Sequence, residues 1–134
     1  MGRSRPFVGA IAVALACGGF AAQAASAADP QVRGPASIVP GRLVHFRATG
    51  FRPGNTVIVV VAPARRSSCC AIQISSMFVA SPTGAVQLGF RFPSYYQRCP
   101  PWQACVRIPW KRGETVIVTV TGYLEQAATK TSVR

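Results

Sequence analysis

The sequence predicts an all-β domain, a two-sheet sandwich of about seven short strands, and three observations carry that prediction. Apolar and polar residues alternate with period two through most of the chain beyond residue 27. No stretch there keeps a helical apolar pattern for three turns. Turn signals built on Pro and Gly separate the alternating segments: Pro40-Gly41, Pro53-Gly54, Pro82-Thr83-Gly84 and Arg112-Gly113 each precede a strand pattern.

In chain order, the first element is a leader. Arg3 and Arg5 are followed by the apolar run Phe7 to Phe20 and by the small residues Ala25-Ser26-Ala27, the three parts of a cleavable signal peptide over residues 1–27. Ala22-Gln23-Ala24 is a second small-x-small site, so cleavage a few residues earlier is the alternative. The apolar run is shorter than the roughly 20 residues of a membrane span. Cys17 lacks the upstream leucine usual in a lipobox, and Ser4 separates the two arginines of the leader, unlike a twin-arginine signal. The expected protein is therefore secreted to the extracellular space or the periplasm, with no transmembrane segment after cleavage and one domain over residues 28–134.

Within that domain, strands are expected near residues 31–37, 42–49, 56–62, 71–79, 85–92, 114–121 and 127–133. Val44, Phe46 and Ala48 share one face of the second, with His45, Arg47 and Thr49 on the other. Thr56 to Val61 is apolar on both faces and is expected centrally in a sheet with something packed on each side. Val86, Leu88, Phe90 and Phe92 form one core face, and Val116, Val118 and Val120 another. The shared Gly-x-x-Val form at Gly41, Gly54 and Gly113 is turn grammar rather than an internal repeat.

The stretch Thr49-Gly50-Phe51-Arg52-Pro53-Gly54, with Pro40-Gly41, Pro82-Thr83-Gly84 and Val118-Thr119-Val120-Thr121-Gly122, resembles the immunoglobulin-like domains of secreted bacterial proteins. In those domains a Gly-Phe-x-Pro-Gly turn joins the second and third strands, and the resemblance implies a Greek-key sandwich. A weaker resemblance extends to the neocarzinostatin-like apoproteins, which are exported, of similar size and carry two disulfides. This chain differs from them in its adjacent Cys69-Cys70 and its strong positive charge, so their chromophore-binding role is not carried over.

Cys69, Cys70, Cys99 and Cys105 remain after the leader, an even number in an oxidising compartment, and two disulfides are expected. A ring between neighbours Cys69 and Cys70 is discounted as strained, which leaves the two crossed pairings open. Zinc binding is discounted because the spacing is unlike the usual two-residue spacer. Successive antiparallel strands send the loops at 63–70 and 93–112 to the same end of the sandwich, where crossed bridges would tie them together. That end collects Arg65, Arg66, Tyr95, Tyr96, Arg98, Trp102, Arg107, Trp110, Lys111 and Arg112, the candidate binding residues. Aromatic faces beside cations stack on sugars or bases while arginines hold anionic groups. The competing reading is a satellite aromatic cluster beneath a disulfide-rich loop, with its charges simply solvated.

The formal charge of +12 falls to +10 when Arg3 and Arg5 leave with the leader. Such a balance favours anionic partners. Asp29, Glu114, Glu125 and the single histidine, His45, are spread along the chain, so no acid–base pair is placed for catalysis and no enzyme, cofactor or metal centre is expected. His45 with Met77 is a weak copper pair, better read as solvated side chains. Two functions follow. The first is an exported, non-enzymatic binding or structural module contacting an unknown protein or an anionic envelope component. The second is a cationic polyanion-binding, envelope-active effector. Nucleic acid is not the expected physiological partner, since helical nucleic-acid motifs are absent.

Overall fold

A computed structural model describes residues 29–66 and 69–134. The signal peptide expected over residues 1–27, with its two candidate cleavage sites and Cys17, lies outside the described residues. The described residues form ten strands: β1 (Gln31–Arg33), β2 (Ser37–Ile38), β3 (Leu43–Thr49), β4 (Thr56–Pro63), β5 (Ile72–Val79), β6 (Val86–Arg91), β7 (Tyr95–Arg98), β8 (Val106–Pro109), β9 (Thr115–Thr121) and β10 (Gln126–Val133). The one helical element among the described residues is a 3-10 turn at Ala64–Arg66. Sheet orders are β1-β3-β6 and β2-β10-β9-β4-β5, with β7-β8 forming a separate ribbon. The fold is an all-β sandwich, as expected from the period-two pattern.

The alternating residues predicted to face inward do so. Val44, Phe46 and Ala48 of β3 meet Phe90, Leu88 and Val86 of β6 across an antiparallel ladder. Val57, Val59 and Val61 of β4 join Val116, Val118 and Val120 of β9 in the same buried cluster. Burying each such side chain is worth about 1.5–3 kcal/mol, which makes this interior the main source of stability. His45, Arg47 and Thr49 face solvent.

Three expectations need correction. The first strand is divided at Gly34-Pro35: β1 pairs with β3 in one sheet, and β2 runs parallel to β10 in the other. A Cβ at Gly34 would lie within the Phe46 ring, so only glycine lets the chain pass under that ring while changing sheets. The second concerns β4. Its inner face is buried, but Ile58 and Val60 on the outer face are only half-buried, and Met77, paired with Ile58, is exposed. No second layer covers that face among the described residues. The third is the segment 93–112, read as an irregular loop, which folds as the hairpin β7-β8.

The turns behave as their chemistry requires. Gly50, Gly54 and Gly84 all have positive φ. At Gly84 (φ 78°) a Cβ would collide with the Phe51 carbonyl oxygen, while the Phe51 N–H donates to the Gly84 carbonyl at 3.2 Å. The Gly-Phe-x-Pro-Gly turn is thereby locked to the Pro82-Thr83-Gly84 turn at the end of the sandwich opposite the basic hairpin.

Candidate functional site

The basic end is built by strand register. Pro63 at the end of β4 lies opposite Val116 near the start of β9, so the 3-10 turn that follows β4 sits beside the turn that precedes β9. Loops 63–70 and 93–112 therefore share one end, as strand parity predicts. The crossed disulfides expected to tie them are not formed. Cys69 is bonded to Cys70 and Cys99 to Cys105.

Hairpin register explains the second bridge. Arg98 pairs with Val106, and one step further along the ribbon places Cys99 opposite Cys105 with Cα atoms 4.1 Å apart. Cys70 is buried in the core, whereas Cys99 and Cys105 are exposed at the far end of the ribbon, which separates the two pairs.

What fastens the hairpin to the sandwich is aromatic packing. Phe46, Phe90, Phe92, Trp110 and Tyr96 form a continuous series of ring contacts, with centroid separations of 5.8, 6.5, 5.7 and 4.8 Å in turn. Such pairs contribute about 0.5–1.5 kcal/mol each beyond burial. The Trp110 Nε1–H donates to the Pro93 carbonyl at 2.9 Å, satisfying its polar edge. Tyr96 and Trp110, 4% and 8% exposed, belong to the core rather than to a contact surface.

The other candidate residues divide into two groups. Along the ribbon, the Arg107 guanidinium lies 4.7 Å from the centre of the Tyr95 ring, a cation–π contact, and Arg98 is exposed. At the tip Trp102 is fully exposed with a left-handed backbone (φ 61°), inside the ring closed by Cys99 and Cys105. A bulky residue in that region is uncommon and costs local backbone energy. At the base of the ribbon, Arg65, Lys111 and Arg112 line a groove of about 560 Å³ with Tyr96, Glu114 and Lys130. Arg66 has its backbone in the same 3-10 turn as Arg65.

Lys130 is the groove residue that sequence reasoning missed. It lies on β10, paired with Ile117, and shares the outer sheet face with Thr115 diagonally across the ladder. The alternation of β10, with Ala127, Thr131 and Val133 buried, would have placed Lys130 outward, but nothing in the sequence placed it beside Arg65.

The carboxylates have structural positions. Glu114 accepts the Lys111 backbone N–H at 3.0 Å and closes the turn into β9. Glu125 accepts the backbone N–H of Arg52 and the Asn55 amide at the opposite end of the sandwich. His45 and Met77 are on the outer faces of different sheets, so the structure does not bring them together.

No protein-family model matches the chain, and no curated protein sequence matches it. Among solved structures, macromomycin is similar with a TM-score of 0.56 at 17% identity, over 78% of this chain and 99% of that one. A superoxide reductase (neelaredoxin) from Ignicoccus hospitalis gives a TM-score of 0.44 at 8% identity, over 80% of this chain and 81% of that one. At such identities the likeness to macromomycin, a neocarzinostatin-like protein, is one of fold, a small β-sandwich.

Proposed function

We propose that this chain is a non-enzymatic binding module that works outside the cell or in its envelope and engages its partner through the β7-β8 end. The observation that carries this reading is the presentation of Trp102, fully exposed at the tip of a disulfide-closed ribbon whose base is packed into the core. A large amphipathic side chain held out on a rigid support suits an interface anchor, because little entropy is lost on docking. Glu114 and Glu125 support the non-enzymatic part, since both carboxylates are engaged in holding turns.

A specific observation favours the second reading, a polyanion binder: Arg65, Lys111 and Arg112 gather around one groove while Arg98 and Arg107 line the adjoining ribbon. Retention on purified cell wall, acidic liposomes and heparin resin across a salt series tests both. Polyanion binding should weaken steeply with salt, and retention indifferent to salt would exclude it. Loss of envelope retention in Trp102→Ala is the result expected of the anchor. Unchanged retention in both Trp102→Ala and the combined Arg98→Ala, Arg107→Ala, Arg112→Ala variant would overturn the assignment of this end.

A further inference from the structure

We infer that the groove at the base of the ribbon is a discrete site for a phosphate-class oxyanion, completed by Lys130. The inference rests on the polyanion reading and narrows it from a basic end to one concave site. Four cationic side chains reach the groove from three separate elements: Arg65 from the 3-10 turn, Lys111 and Arg112 from the turn into β9, and Lys130 from β10. The β4-β9 and β9-β10 ladders make that convergence rigid, with Pro63 opposite Val116 and Thr115 opposite Ser132.

Among the described residues one carboxylate, that of Glu114, lines the groove, and one of its oxygens already accepts the Lys111 N–H. Four cations against one anion leave an excess positive charge in a concavity, where low-dielectric walls concentrate the field. A single carboxylate ligand would answer one of those cations. A phosphate group, with up to two charges and several oxygens, answers more, and the planar guanidiniums of Arg65 and Arg112 suit its paired oxygens while the lysines act as point charges. The buried Tyr96 ring supplies a firm wall. Arg98 and Arg107, on the ribbon itself, do not line the groove and are not part of the site.

The test titrates inorganic tripolyphosphate into the disulfide-bonded protein, following backbone amides by NMR and affinity by calorimetry. Shifts should concentrate at residues 64–65, 111–115 and 130. The double variant Arg65→Ala, Lys130→Ala should lose about ten-fold or more in affinity, while Arg33→Ala, Arg47→Ala, on the other sheet, should change it by less than about two-fold. Both pairs are exposed, and circular dichroism verifies that each variant is folded. Shifts spread evenly over Arg33, Arg42 and Arg47, or equal loss in the two double variants, would overturn the site. An inorganic sulfate titration separates the phosphate class from general anion binding: sulfate matching tripolyphosphate on the same amides overturns the phosphate assignment. Retention on cell wall by the Arg65→Ala, Lys130→Ala variant together with unchanged tripolyphosphate affinity would sink the groove and spare the broader reading. Localised tripolyphosphate binding without any polymer retention would do the reverse.

Discussion

Both carboxylate oxygens of Glu125 accept the backbone N–H of Arg52, at 3.1 and 2.9 Å, across a separation of 73 residues. Asn55 adds a side-chain amide at 3.2 Å, and the Arg52 Nε lies 3.4 Å from the same carboxylate. The Glu125 side chain is only 10% exposed, whereas that of Arg52 is 65% exposed, so the backbone and amide bonds carry more weight than the ion pair. They join the β9-β10 turn to the turn between β3 and β4. Glu125→Ala should therefore cost about 2 kcal/mol, and a thermal melt should show a Tm lower by roughly 10 °C. Arg52→Ala, which keeps its N–H, should cost far less.

The two tryptophans should separate cleanly. Trp110 is buried between Phe92 and Tyr96, so Trp110→Ala should destabilise by about 3–5 kcal/mol. Trp102 touches solvent only, and Trp102→Ala should leave the denaturant midpoint within about 0.5 kcal/mol of the parent. Urea titrations followed by circular dichroism measure both. A comparable loss in the two variants would mean that the tip is packed in solution.

The inward faces of β3, β4, β6 and β9 were legible because a half-buried strand must alternate, and no competing signal interrupts them. The ribbon was not. Pro93, Pro100, Pro101 and Pro109 mark turns and missing donors, and they mask the short paired runs Tyr95–Arg98 and Val106–Pro109. Reading 93–112 as one loop placed Tyr96 and Trp110 with the surface candidates and left the cysteines without a register. With the hairpin register, Cys99 opposite Cys105 follows directly. Lys130 was hidden for a different reason: its partners in the groove come from distant elements, and only the sheet order places β10 beside β9, whose other neighbour is β4.

Gly34 shows how a single small residue sets the topology. Gly34→Ala would drive a methyl group into the Phe46 ring, which is buried and stacked on Phe90, so relieving the clash displaces core groups. The expected loss is about 1–3 kcal/mol. It should be largely relieved in a Gly34→Ala, Phe46→Leu double variant, a non-additivity that a double-mutant cycle by urea denaturation detects.

The bridge assignment makes a chemical prediction. Non-reduced digests should release a peptide linking Cys99 to Cys105 and none linking Cys70 to either. Closing so short a loop contributes about 2 kcal/mol through the unfolded chain, so the Cys99→Ser, Cys105→Ser variant should lose about that much stability. Tyr96 and Trp110 still fasten the ribbon base, so the groove should keep its oxyanion affinity in that variant while the tip loses protection from proteolysis.

Glu114 opposes the proposed anion within the groove while holding the turn that carries Lys111 and Arg112. These two effects can be separated. Glu114→Gln removes the negative charge but keeps a carbonyl oxygen able to accept the Lys111 N–H, so the turn should persist and tripolyphosphate affinity should rise by about three- to ten-fold at low salt. Glu114→Ala removes the acceptor as well, and loosening of residues 111–114 should offset the electrostatic gain. The gain in Glu114→Gln should shrink as salt is added, because the repulsion it relieves acts in a groove open to solvent and is screened within a Debye length. An affinity that falls in Glu114→Gln would mean that the carboxylate orients the ligand, and the charge argument for this groove would then be wrong.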